Sequence, residues 1–163
     1  MSLIVVMGSG ETTPTMLGAH RDVLARTPSG PAVMLDTPFA FQTNREELVE
    51  RARLYFAQSV GREVSVVRWP GDERDLALLD RACWAFAGPG SPTYALRQWL
   101  ASPVPAALEA VVRRGGTLVL GSAAAVTLGS HAVPVYEIYK VGADPVWEPG
   151  LDLLGGLTGL AAA

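Results

Sequence analysis

The sequence predicts an α/β protein in three layers, a mostly parallel sheet with helices on both faces. Three observations carry this reading. Short apolar runs alternate with stretches of helical pattern, the repetition that builds parallel sheets. The runs are rich in Val, Leu and Ile, as strands buried on both faces should be. Four of the five runs end in a loop that carries glycine, where a chain leaving a buried strand must turn tightly.

The five expected strands are Leu3–Met7, Ala32–Asp36, Val64–Arg68, Ala82–Ala87 and Thr117–Gly121. The clearest helix is Asn44–Ser59. Thr43 and Asn44 offer amino-terminal caps, with Glu46 and Glu47 three residues on. Its apolar stripe is Leu48, Ala52, Tyr55 and Phe56. Ala106–Arg114 is a second helix, closed by Arg113-Arg114-Gly115-Gly116, whose cations and glycines suit a carboxyl terminus. Further helices are expected over Pro14–Arg26, over Pro92–Leu100 and after Ser122. The stretch Pro134–Gly142 mixes aromatic and charged residues, and Asp144–Gly150 is a loop with two prolines. Leu157–Ala163 looks like the start of another strand, so the chain is expected to be one α/β domain over residues 1–163 that is either cut short at its carboxyl end or closes in a natural, frayed end.

Composition narrows the function classes. Of 163 residues, 49% are apolar and 18% charged, the balance of a globular chain. The net charge is −3 and there is no basic stripe, so nucleic acid is not an expected partner. No apolar run is long enough to span a bilayer, and the opening Ser2–Met7 has no basic flank, so neither membrane nor signal peptide is expected. The single cysteine, Cys83, excludes an internal disulfide and fits a reducing, cytoplasmic setting. With only His20 and His131 beside it, no zinc site is expected, and no cofactor is implied.

In parallel sheets ligands sit beyond the carboxyl ends of the strands. The most informative loop there is Leu120-Gly121-Ser122-Ala123-Ala124. An apolar run meets Gly-Ser and changes at once into small, helix-favouring residues. A strand turning straight into a helix with a serine at the bend is a nucleophile elbow. The same residues also fit an ordinary turn in which Ser122 caps the next helix. Gly88-Pro89-Gly90 is a second glycine loop. Beside an elbow it can aim a backbone N–H at a reacting carbonyl oxygen. Pro89 has no N–H, so Gly90 is the expected donor, with Ala123, the residue after the nucleophile, as the other. Gly8-Ser9-Gly10 followed by Asp36 is half of a dinucleotide fingerprint. Thr13 stands where the third glycine belongs.

Together these stretches resemble the family of serine peptidases that contains aspartyl dipeptidase and cyanophycinase. The resemblance runs in order from Leu3 to about Leu154. The family elbow commonly reads T-S-A-G-A and lies over Gly121–Ala125. Its second glycine loop lies over Gly88–Ser91, and its first-strand turn over Gly8–Glu11. The resemblance implies a flavodoxin-like fold related to class I glutamine amidotransferases, and a serine hydrolase acting on small peptide or acyl substrates of acidic character. It implies Ser122 as nucleophile, Ala123 and Gly90 as oxyanion donors, and substrate contacts from Gly10, Glu11, Ser91, Tyr136 and Glu137. Arg45, Arg97 and Lys140 are the cations available to an acidic substrate. Ala124 and Pro89 depart from the family pattern, each standing where it has glycine.

The family histidine follows the serine after one more strand, here Gly159–Ala163, and no histidine occurs there. His131 is expected near the far end of the elbow helix. Nine residues of helix rise about 13 Å, too far to reach Ser122. His20 precedes the serine on the first helix. A serine without its base is a weak nucleophile, so this chain is expected to be nearly inactive as a peptidase. The other reading is a non-catalytic relative that binds a small molecule or serves as a scaffold. Glu137 and Lys140, three apart, fit either a surface helix pair or the lining of the pocket. A truncated sheet would leave an edge exposed and favour self-association into a homo-oligomer.

Overall fold

The computed structural model describes residues 2–153. Its centre is a sheet of five parallel strands: β1 (Leu3–Met7), β2 (Ala32–Leu35), β3 (Ser65–Val67), β4 (Trp84–Ala87) and β5 (Thr117–Gly121). All five stand where the apolar runs place them, trimmed by a residue or two at some ends. The spatial order is β3-β2-β4-β5-β1. The first four places follow the flavodoxin-like doubly wound order 2-1-3-4, and β1 takes the outer fifth place. The three-layer α/β expectation is borne out.

Strand alternation divides the core in two. Val33 and Leu35, Ala85 and Ala87, and Leu118 and Leu120 point to one face. There they meet α3 (Glu73–Arg81), α4 (Pro92–Leu100) and α5 (Val104–Arg113), packed through Leu79, Trp99, Leu108 and Val111. Met34, Trp84, Phe86 and Val119 point to the other face. There they meet α1 (Leu17–Ala25) and α2 (Arg45–Leu54). This second core is aromatic: Trp84 and Phe86 stack with ring centres 6.0 Å apart, and Phe56 sets its edge against Phe86 at 5.0 Å. Each fully buried side chain of this size contributes about 1.5–3 kcal/mol.

Several helices differ in detail from the sequence reading. The first begins with a tight turn, Pro14–Met16, before α1. The expected helix Asn44–Ser59 is α2 followed by a wider π-type stretch, Tyr55–Val60, which Gly61 ends at φ +86°. Asn44 sits at the cap position but its side chain makes no cap bond. Helix α3 was not expected; Asp72 caps it by accepting from the N–H groups of Arg74 and Asp75. The elbow helix α6 (Ser122–Val126) is short. It leads to β6 (His131–Ala132), α7 (Val135–Val141) and β7 (Glu148–Pro149), with β6 and β7 paired antiparallel. The expected strand at Gly159–Ala163 lies outside the described residues. Among them, no helix is long and apolar enough to cross a membrane.

Candidate active site

Strand β5 passes into α6 without a loop. Gly121 is still extended, at φ −114° and ψ 150°, and Ser122 turns sharply to φ +49°. Only Ser122 and Asp152 are non-glycine residues with positive φ among those described. Holding an L-residue there costs on the order of 1 kcal/mol or more. The surroundings enforce it. The Ser122 N–H donates to Gly8 O at 2.7 Å, and the Ala124 N–H to Gly88 O at 3.2 Å. Between these two anchored amides, the Ala123 N–H has no acceptor among the described residues. Ala123, Ala124 and Ala125 are all buried, which explains why the stretch is built of alanine.

Ser122 and Ala123 open onto a cleft of about 550 Å³. Gly8 and Ser9, at the end of β1, form one wall and Gly90 another. The third is α7, which presents Val135, Tyr136, Tyr139 and Lys140. Lys140 is the charged side chain of this lining. Gly90 adopts φ +140°, and a Cβ there would lie 1.9 Å from the carbonyl oxygen of Pro38. The position therefore requires glycine.

The structure thus brings together Ser122, Ala123, Gly90 and Tyr136, as the sequence reading expects. It does not bring Gly10, Glu11, Ser91 or Glu137 to the cleft surface. Gly10 forms an exposed turn at φ +75°, accepting from the Thr13 N–H at 2.9 Å. Ser91 is buried because it caps α4: its Oγ accepts from the Tyr94 N–H at 2.9 Å. The same hydroxyl donates to Glu137 Oε1 at 2.5 Å. Glu137 therefore ties α7 to the β4 loop, and its Oε2 is buried without a hydrogen-bond partner. Phe41 braces the same wall, with its ring 5.1 Å from Tyr94 and 5.3 Å from Tyr136. Glu137 and Lys140 are not a surface pair: one points to Ser91, the other lines the cleft. Ser9 was not assigned from sequence, and whether Tyr139 and Lys140 line the cleft was left open there. Their signal was Pro134 and Gly142 bracketing one helix, on which residues 135, 136, 139 and 140 share a face.

Glu11 is only 3% exposed, so it does not face a ligand in the cleft. Burial pushes its carboxyl above the usual carboxylate range. His20 is fully buried, and its Nε2 lies 2.6 Å from Glu11 O. A carbonyl can only accept, so Nε2 carries the proton and donates. Burial holds the ring's pKa below the ordinary histidine value. His131 is not on the elbow helix: α6 ends at Val126, and His131 stands exposed on β6 with its ring against Trp147. Neither histidine lines the cleft. Asp36 is fully buried and held by Arg45, whose Nε donates to Oδ2 at 2.7 Å, with Arg68 3.7 Å away. It is thereby committed to an ion pair rather than to a ribose. Among the described residues no cluster of His, Cys, Asp and Glu could hold a metal ion.

No protein-family model matches the chain, and no curated protein matches it. Solved structures do match in fold. A peptidase from an acI-B1 actinobacterium superposes with a TM-score of 0.72 over 93% of this chain, at 19% identity. A provisionally assigned peptidase E protein from Listeria monocytogenes EGD-e superposes with a TM-score of 0.67 over 94%, at 13% identity. This chain spans 64% of the length of the actinobacterial protein and 75% of the Listeria one. At these identities the likeness is one of fold.

Proposed function

We propose that this chain carries the nucleophile of a peptidase-like acyl hydrolase, with Ser122 as the attacking residue. The observation that supports it most is the positive φ of Ser122 at a strand-to-helix bend facing an open cleft. Ser122 Oγ would attack a substrate carbonyl carbon and lose its proton to a base. The amide N–H groups of Ala123 and Gly90 would hold the oxygen as it becomes anionic. The C–N bond would then break, the amine leaving with a proton. Glu137, with one buried oxygen unpartnered, is the carboxylate available to orient a base. Neither His20 nor His131 supplies that base. Turnover by the 163-residue chain is therefore slow, and a non-catalytic binding role for the same cleft is the second reading.

The finer reading follows the resemblance to aspartyl dipeptidase and cyanophycinase. The substrate is a small peptide or acyl compound with an acidic group, which meets Lys140. A charged contact of this kind is worth about tenfold or more in affinity. Lys140→Met should weaken an acidic dipeptide by that factor and leave a neutral dipeptide unchanged, as read by calorimetry. The decisive test of the nucleophile is a fluorophosphonate followed by peptide mapping. Slow modification of Ser122, absent in Ser122→Ala, is the expected result. No adduct at Ser122 overturns the nucleophile; rapid stoichiometric labelling overturns the missing base.

A further inference from the structure

Three turns converge at the top of β4, β5 and β1, and one side chain lies among them. A Cβ built on Gly121 would come within 2.9 Å of Glu11 Cγ and 3.0 Å of its Cβ. A Cβ on Gly88 would come within 3.3 Å of Glu11 Oε1. Glu11 therefore fills the space left by Gly121 at the bend, and at Gly88, which opens the Gly88-Pro89-Gly90 loop, it shares that space with the Phe86 ring, which the added Cβ would meet at 3.0 Å. It belongs to the third turn itself, just after Gly8 and Ser9. The three turns are also tied by main-chain bonds, Ser122 N–H to Gly8 O and Ala124 N–H to Gly88 O. Glu11 is anchored from the outside by His20, whose Nε2–H donates to its carbonyl at 2.6 Å. That ring is itself clamped edge-on by Phe56 and Phe86 at 5.2 and 6.2 Å.

We propose that Glu11 is a positioning residue: a buried carboxyl wedge that sets the spacing of the elbow and the β4 glycine loop, and so of Ser122 and Gly90. A carboxyl carrying an oxygen without a hydrogen-bond partner is a costly filler for a site an apolar side chain could occupy. Its burial favours the neutral acid, which removes the larger penalty of an unpaired charge. The chemical consequence for acyl transfer rests on the reading of Ser122 as nucleophile; the wedge itself does not. Its effect is on where the Ala123 and Gly90 amides stand relative to the Ser122 oxygen, a spacing to which oxyanion stabilisation is sensitive.

The test compares the whole chain with Glu11→Ala, Glu11→Asp and Glu11→Gln by amide hydrogen exchange. Aspartate withdraws the carboxyl by one methylene and keeps its chemistry, so it serves where alanine fails to fold. Glutamine keeps shape and reach. The alanine and aspartate variants should speed exchange at residues 88–91 and 121–124 by about tenfold, an opening confined to these turns, with 117–120 unchanged. Glutamine should restore protection. Fluorophosphonate labelling of Ser122 should fall and recover in parallel. Unchanged protection at both turns in the shortened variants, or loosening spread evenly along β5, overturns the wedge. Absence of labelling in the parent chain overturns the nucleophile instead and leaves the exchange comparison to decide Glu11.

Discussion

Beyond β2 and β3, the carboxyl edge of the sheet is closed by charges that answer one another. Asp36 is buried against Arg45, Arg68 reaches it from β3, and Glu46 takes both Arg68 amino groups at 2.7 and 2.8 Å. Beyond β5 and β1, the same edge is open. A serine is held at φ +49°, the amide of its neighbour Ala123 has no acceptor among the described residues, and two nearby carboxyls each keep a buried oxygen unpartnered. Both occupy the place where α/β proteins put their ligands. The first pairs each of its charges with another, the mark of a structural network, even though Asp36 Oδ1 also lacks a hydrogen-bond partner. What sets the second apart is backbone strain at the lip of an open cleft, and such strain concentrates at functional sites.

Four substitutions would break or sharpen this contrast. The largest effect is expected from Gly90→Ala, because the added methyl would meet Pro38 O at 1.9 Å and the backbone stands at φ +140°. It should cost more than about 3 kcal/mol in urea unfolding, or prevent folding altogether. Next comes Asp36→Ala, which strands Arg45 beside a fully buried position. Breaking one side of such a pair should cost about 3 kcal/mol, and stability should be lost without any change in labelling of Ser122 per folded molecule. The third change runs the other way. Ser122→Gly relieves the left-handed backbone and should raise stability by about 1 kcal/mol, while abolishing the adduct. A loss of stability there would show that the bend is not strained.

The smallest effect belongs to Glu46. Its bond to Arg68 holds its carboxyl below the ordinary value of 4.5. A depressed carboxylate stabilises the fold above its unfolded pKa, and that contribution is lost as the pH falls through the folded value. The side chain is 73% exposed, so solvent screens the pair. Glu46→Gln should leave the unfolding midpoint at pH 7 essentially unmoved, with any difference from the parent vanishing once the pH drops well below 4.5. A large shift at pH 7 would mean the closed network depends on its exposed end.

Strands were the most legible part of the sequence: Thr117–Gly121 is buried on both faces and reads as an unbroken apolar run, and Leu3–Met7 keeps that run although Val6, on the outer strand, is 45% exposed. Helix α3 was not, although Asp72 and the acidic first turn announce it. Its run of charges leaves a narrow apolar stripe, of which Leu79 alone is fully buried. The strand-to-helix bend was readable from Gly121-Ser122 meeting three alanines. The burial of Glu11 was not, since nothing in Gly10-Glu11-Thr12 says which way the carboxylate faces; that depends on two glycines far along the chain. The role of α7 was hidden for a similar reason. Its aromatic and charged residues divide between Ser91, Phe41 and the cleft only once α4 is packed beside it.

The outer strand carries one more consequence. Among the described residues β1 pairs in the main sheet with β5 alone, Leu3 beside Thr117 and Met7 beside Gly121. The carbonyl that fixes the serine amide and one whole wall of the cleft hang from that strand's end. During synthesis the first turn emerges from the ribosome long before β5, its strand partner among the described residues. A nascent chain thus owns the serine's cradle in two separate pieces, and the alcohol gains its setting only when β1 and the much later β5 are zipped together.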